Sequence, residues 1–205
     1  MVTFRSGVDE EPKIVAERIK DLFVKVKNNY TDVLDFGDEI TLDDKSLNYV
    51  IGELQQYSLM NAHRDAIGDA FEVFIGHALK GGQGQFFTPR NVIKMIVEIV
   101  DPSIDDLIID PACGSGGFLV ESLRYVWSKV EKEGKSLNWP NSEIEIEKQK
   151  VAIKNFKGID KDYFLSKVAK AYMALLGDGR GGVFCENSLD NPKSWNRKTQ
   201  MEVKL

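Results

Sequence analysis

Asp110, Gly114, Gly116 and Gly117 stand close together in the stretch Asp-Pro-Ala-Cys-Gly-Ser-Gly-Gly-Phe-Leu over residues 110–119. Glycines so placed let the backbone turn tightly and come close to a ligand. Ahead of them Leu107, Ile108 and Ile109 form a short apolar run, as suits a strand buried on both faces of a parallel sheet. Behind them Phe118, Leu119, Leu123 and Val126 fall on one side at helical spacing. Strand, glycine loop and helix place backbone N–H groups at the carboxyl edge of a sheet, where doubly wound folds bind ligands. The spacing is not the G-x-G-x-x-G of dinucleotide sites, and no G-x-x-x-x-G-K-[ST] supplies a lysine for a triphosphate. Instead an acid, Asp110, ends the strand. A carboxylate there is wrong for phosphate and right for a cationic ligand. S-adenosylmethionine, with its sulfonium and α-ammonium, has that chemistry. The bland alternative is a glycine turn that Asp110 merely caps.

Other elements must hold this loop. Residues 9–29 read as an amphipathic helix with Val15, Ile19, Leu22, Phe23 and Val26 on one face and Asp9 as N-cap. Residues 42–59 read as a second helix and 62–79 as a third, with Ile67, Phe71, Phe74 and Ala78 along one face. His63 and His77 are neither paired nor near a Cys or Glu at metal spacing, so no metal site is expected. Residues 80–90 are a glycine-rich loop with Phe86 and Phe87. It runs into a helix over 89–100 that is capped by Thr88, apolar nearly all round, and expected to lie against the sheet.

Beyond the glycine loop, residues 132–142 read as a loop, and Ser142 as the cap of a helix over 143–155. Phe156–Asp160 is a second strand, 163–176 a helix, and 182–186 a third strand. The β-α-β-α-β order implies a mostly parallel sheet. Residues 191–205 read as polar and irregular. The expected fold class is therefore α/β: a helical domain over 1–80, then a Rossmann-like domain over 81–205.

Composition excludes several classes. At 42% hydrophobic and 29% charged, the chain is an ordinary globular protein with no run long enough to span a membrane. Cys113 and Cys185 lie far apart, which suggests a reducing compartment, and the expected location is the cytoplasm. The net charge is −5. Residues 1–80 hold nine Lys/Arg against fifteen Asp/Glu, while 81–205 hold eighteen against seventeen. This is no basic footprint, so any grip on DNA must come largely from elsewhere.

The pair Gly84-Gln-Phe-Phe-Thr-Pro-Arg90 and Asp110-Pro-Ala-Cys-Gly-Ser-Gly-Gly-Phe-Leu119, in that order, closely resembles motifs X and I of the N6-adenine DNA methyltransferases. The resemblance is strongest to the modification subunits of type I restriction-modification systems. Residues 65–79 resemble the helix leading into motif X, Gly158-Ile159-Asp160 motif II, and Glu186-Asn187-Ser188-Leu189 motif III. It covers roughly residues 60–190. It implies that Gln85, Phe86, Phe87 and Thr88 close over the methionine side of S-adenosylmethionine. Asp110 and the Ala112, Cys113, Gly114, Ser115 and Gly116 loop would hold its ammonium and carboxylate. Asp160 would accept from the ribose hydroxyls, and Asn187 would stand where the family often has an aspartate facing the adenine. Cys113 is expected to pack rather than act as a nucleophile. The implied partners are DNA, a specificity subunit and a restriction subunit.

The chain departs from that family at one point. The catalytic motif there is (Asn/Asp)-Pro-Pro-(Phe/Tyr), whose groups accept the protons of the target amine and stack on the flipped base. No Pro-Pro occurs in this sequence, and Asn191-Pro192-Lys193 is the nearest match. The expectation is a cofactor half-site with no catalytic residues of its own, truncated before that motif. Two alternatives stand beside it: a methyltransferase acting on protein or RNA, and a non-enzymatic module that docks a specificity subunit.

Overall fold

The computed structural model describes residues 4–7, 9–31, 33–56, 88–177 and 182–203. The helix expected over 62–79, both histidines, and Gln85, Phe86 and Phe87 lie outside these residues. The chain divides into two compact units, Met1–Ile67 and Gly68–Leu205. The boundary expected at residue 80 also falls outside the described residues.

The first unit contains helices α1 (Pro12–Asn29) and α2 (Asp44–Leu54), which bury Val15, Ala16, Ile19, Leu47 and Ile51 together. Asp9 is not the cap of α1. Pro12 holds the first helical position, and Glu11 before it is extended (φ −61°, ψ 132°), because a residue preceding proline avoids the helical region. Val26, expected on the buried face, is exposed. Asp43 caps α2, its side chain accepting from the N–H groups of Lys45 and Ser46.

The second unit is α/β. Its elements among the described residues are α3 (Arg90–Val100), β1 (Ile108–Asp110), α4 (Gly117–Ser136), α5 (Asn141–Asn155), β2 (Phe156–Asp160), α6 (Tyr163–Gly177), β3 (Val183–Cys185), a 3-10 turn (Pro192–Ser194) and α7 (Arg197–Glu202). The strands pair in parallel in the order β1-β2-β3, with Asp110 opposite Gly158 and Asp160 opposite Cys185. One sheet face carries the main core: Phe156 and Val183 pack with Leu119, Leu123 and Val126 of α4, Val151 of α5, and Ala169 and Met173 of α6. Ile159 and Phe184 point to the other face, where Trp195 and Val203 cover them. The alternation along β2 therefore separates two cores.

Several sequence expectations need correction. The strand at Leu107–Ile109 is not buried on both faces: Leu107 precedes it and is exposed, and Ile109 is partly exposed because no described element covers its side of β1. Helix α3 packs on α4 rather than on the sheet; it buries Ile93 and Val97 and leaves Met95, Ile99 and Val100 exposed among the described residues. Thr88 and Ser142 cap nothing. Pro89 and Pro140 take the N-cap positions in extended conformation, without side-chain cap bonds. The tail is not irregular, since Asn191 caps the 3-10 turn and Asn196 caps α7.

The expected loop over 132–142 is mostly helix, because α4 runs on to Ser136 through Gly134. Gly134 is a contact glycine. A Cβ there would lie 2.6 Å from Ile144 Cγ1 and 3.1 Å from Trp139 Cε3, so its absence lets α4 and α5 close on each other. Gly134→Val is expected to cost about 2 kcal/mol through overpacking, offset by only a few tenths of a kcal/mol of helix propensity. Chemical denaturation would show this as a lower midpoint at unchanged slope.

Candidate functional site

The glycine loop and the ends of β1 and β2 are joined by a short set of backbone and carboxylate hydrogen bonds. Asp110 ends β1, and its Oδ1 accepts from the Ala112 N–H at 3.1 Å. The Cys113 N–H donates to the Ile159 carbonyl at 3.0 Å, which pins the loop to β2. The Gly114 N–H donates to Asp160 Oδ2 at 2.8 Å. The other oxygen of Asp160 accepts from the Asp162 N–H at 2.8 Å, and Asp162 in turn caps α6 by accepting from Leu165 N at 3.0 Å. One carboxylate thus ties the glycine loop to the β2–α6 turn. A carboxylate offers roughly four acceptor positions, so two remain on Asp160.

Gly114 has φ +52° and Gly116 φ +89°, both in the left-handed region. At Gly114 nothing lies within 4 Å of an added Cβ, so the backbone alone asks for glycine there. At Gly116 the Cβ would also meet Ala169 of α6 at 3.3 Å. Gly116 is the N-cap of α4 and brings no side chain to its first turn, so the N–H groups of the first helical turn carry no side-chain cap. This is an anion-binding arrangement. Beside it stand two acids.

Electrostatics separate the roles. Asp110 is half-buried, and burial raises its carboxyl above the ordinary value; the Ala112 N–H opposes the shift and the nearby Asp160 charge adds to it. Burial, together with the charges of Asp110 and Asp160, pushes the Cys113 thiol up to about 12. A buried thiol so hard to ionise packs and does not attack. Its sulfur fills the space over Gly158, where a Cβ would lie 3.1 Å from it and 2.5 Å from Leu119 Cδ1.

Asn187 follows β3 beside Asp160: the Glu186 N–H donates to the Asp160 carbonyl at 3.1 Å. The side-chain Oδ1 of Asn187 accepts from Leu189 N at 3.2 Å in a local turn. The structure therefore gathers Asp110, Ala112, Cys113, Gly114, Ser115, Gly116, Asp160 and Asn187 around one sheet edge. Thr88 is exposed. Asn191, in the nearest match to a catalytic motif, spends its side chain on the Lys193 N–H. Sequence reading gave no role to Glu186, Asp162 or Trp195. Asp162 works through local bonds to Asp160 and Leu165, whereas Glu186 and Trp195 are engaged across turns of the chain that no local pattern records, although the Asn-Pro pair at 191–192 is a turn-initiating signal.

A parallel sheet with a glycine loop after β1 and acids at two neighbouring strand ends is the arrangement at which doubly wound folds bind nucleoside-type cofactors. The N-6 DNA Methylase family matches residues 62–203, and the chain belongs to it. It is 35% identical over 127 residues to the methylase subunit of the type I restriction enzyme MjaIX of Methanocaldococcus jannaschii, covering 60% of this chain and 20% of that one. It is 42% identical over 70 residues to the EcoKI methylase subunit of Escherichia coli, covering 33% and 13%. In fold it resembles a crystal structure from Vibrio vulnificus described as the modification subunit of a type I restriction enzyme. The TM-score is 0.50 at 24% identity, over 72% of this chain and 28% of that one. The chain spans about a fifth or less of the length of the two curated relatives.

Proposed function

We propose that residues 81–205 bind S-adenosylmethionine, and that the protein they serve methylates adenine N6 in DNA within a type I restriction-modification system. Residues 1–80 are then a helical domain preceding the cofactor site, and the partners are DNA, a specificity subunit and a restriction subunit. The observation that carries this reading is the Asp160 carboxylate receiving the Gly114 N–H at 2.8 Å while Asp110 ends the neighbouring strand.

The residues fit the cofactor's groups one by one. The carboxylate of Asp110 suits the α-ammonium. The uncapped first turn of α4 and the loop at Ala112–Gly116 suit the methionine carboxylate. The two remaining acceptor positions on Asp160 suit the ribose diol. Asn187 suits the adenine edge, and the resemblance of residues 84–90 to motif X assigns Gln85, Phe86, Phe87 and Thr88 to the methionine side. When bound, S-adenosylmethionine supplies an electrophilic methyl on its sulfonium. The described residues contribute binding, orientation and charge complementarity to it. They hold no pair of groups that would orient a target amine and accept its protons, and the sequence has no Pro-Pro.

The reading makes a divided expectation for this chain alone. It should bind the cofactor, yet transfer no labelled methyl to an adenine-containing duplex, because cofactor binding does nothing for the poor nucleophile. It should also show little sequence-selective retention of duplex at physiological salt, since a net charge of −5 disfavours the phosphate neutralisation on which such affinity rests. Methyl turnover by these residues would contradict the reading and direct mutagenesis to Asn191.

A further inference from the structure

The segment after β3 does more than close the small core. Trp195 is 5% exposed beside Ile159, Phe184 and Val203, and its indole Nε1 donates to the Asn187 carbonyl at 2.9 Å. The next residue reaches back as well. The Asn196 N–H donates to Glu186 Oε1 at 2.8 Å, and the Asn196 side-chain amide donates to the same oxygen. Thr199, fully buried, adds its hydroxyl to that oxygen at 3.3 Å. Three donors from residues 196–199 thus converge on one carboxylate oxygen, and a fourth contact holds the adjoining carbonyl. The loop Glu186–Leu189 is fixed from outside by the tail and from inside by the Glu186 N–H on Asp160.

Fixing matters because residue 187 is an asparagine. A carboxylate presents acceptors whichever way it turns. An asparagine presents an acceptor at one end and donors at the other, and it can tell an amino group from an oxo group only if its amide cannot turn over. In this structure the Asn187 amide is oriented by the Leu189 N–H on Oδ1, and that turn depends on the backbone that Trp195 and Glu186 hold. Resting on the assignment of Asn187 to the cofactor's adenine, we propose that residues 191–203 form a clamp. Glu186 and Trp195 are its positioning residues: they lock the Asn187 amide so that it recognises the 6-amino edge of the purine.

The test compares S-adenosylhomocysteine with the analogue carrying hypoxanthine in place of adenine, both titrated by calorimetry into the 205-residue chain. The parent should prefer the adenine form by about tenfold, the worth of one well-made hydrogen bond. Glu186→Ala and Trp195→Phe should each reduce that preference to about twofold, while affinity for the hypoxanthine form changes less than twofold. Adding Asn187→Asp to Glu186→Ala should restore the preference, because a carboxylate has no donor end to present. A merely structural role would weaken both ligands together and leave their ratio unchanged, and that result, or a parent that does not distinguish them, overturns the clamp. The function reading fails separately, if the parent binds neither ligand.

Discussion

Asp110→Asn is expected to weaken S-adenosylmethionine binding about a hundredfold while leaving the fold at least as stable as the parent. The two effects have one cause. Burial raises the carboxyl of Asp110, so its ionised form is held in the folded protein at a cost that a cationic ligand would relieve. The folded value lies above the unfolded one. The native state therefore binds more protons across the window between them, and stability falls as pH rises through it and stays lower above. Asparagine removes that penalty, keeps an oxygen for the Ala112 N–H at this position, and takes away the charge proposed for the ammonium. A charge-assisted hydrogen bond lost from a partly buried site is worth about 1.5–3 kcal/mol, hence the size of the affinity loss. The same raised carboxyl means that cofactor affinity in the parent should begin to fall, on acidification, at a higher pH than an ordinary aspartate would give. Thermal unfolding and calorimetry on the two proteins at neutral pH, followed by a pH series on the parent, check both halves. A variant that binds as well as the parent would remove Asp110 from the site.

Gly158→Val should act in the opposite way, through packing. Gly158 sits in the middle of β2, opposite Asp110 on one side and Val183 on the other. A Cβ there would lie 2.5 Å from Leu119 Cδ1 and 3.1 Å from Cys113 Sγ, both in buried side chains of the main core. Both neighbours are packed in the main core, so making room for the valine disturbs the packing beside the first turn of α4 and the glycine loop. Overpacking of this kind costs about 3 kcal/mol, roughly 6–12 °C in midpoint for a chain of this size. Because Cys113 belongs to the loop that Asp160 holds and Leu119 to the helical turn that follows it, cofactor binding should be lost even at temperatures where the variant is folded. Gly114→Ala is the control. It has open space and only a left-handed backbone to adopt, at about 1–2 kcal/mol, so it should be milder in stability.

The contrast between these glycines shows what the sequence could and could not say. The β2 strand and the helix after it were legible because Phe156–Asp160 ends in an acid and Tyr163–Gly177 repeats apolar residues at helical spacing. The loop at Gly114–Gly116 was legible because positive φ is a local demand. Gly134 was misread as a turn, since a glycine that admits a neighbouring helix looks the same in sequence as one that bends the chain. Three caps were misplaced beside Pro12, Pro89 and Pro140, where the ring restrictions settled the helix start before any side-chain cap could compete. The bond from Gly114 to Asp160, the donors on Glu186 and the burial of Trp195 join residues far apart in the chain, and no local pattern records them.

The central claim is that the Asp110–Gly116 loop and Asp160 form one cofactor site. It is tested most directly by following the backbone amide resonances of the chain during titration with S-adenosylmethionine. The account predicts saturable shifts concentrated at Ala112, Gly114, Ser115, Gly116, Asp160 and Asn187, displaced by S-adenosylhomocysteine and absent with Asp110→Asn at the same ligand concentration. Saturable shifts that cluster away from these residues, or a folded chain whose spectrum does not respond, would contradict it.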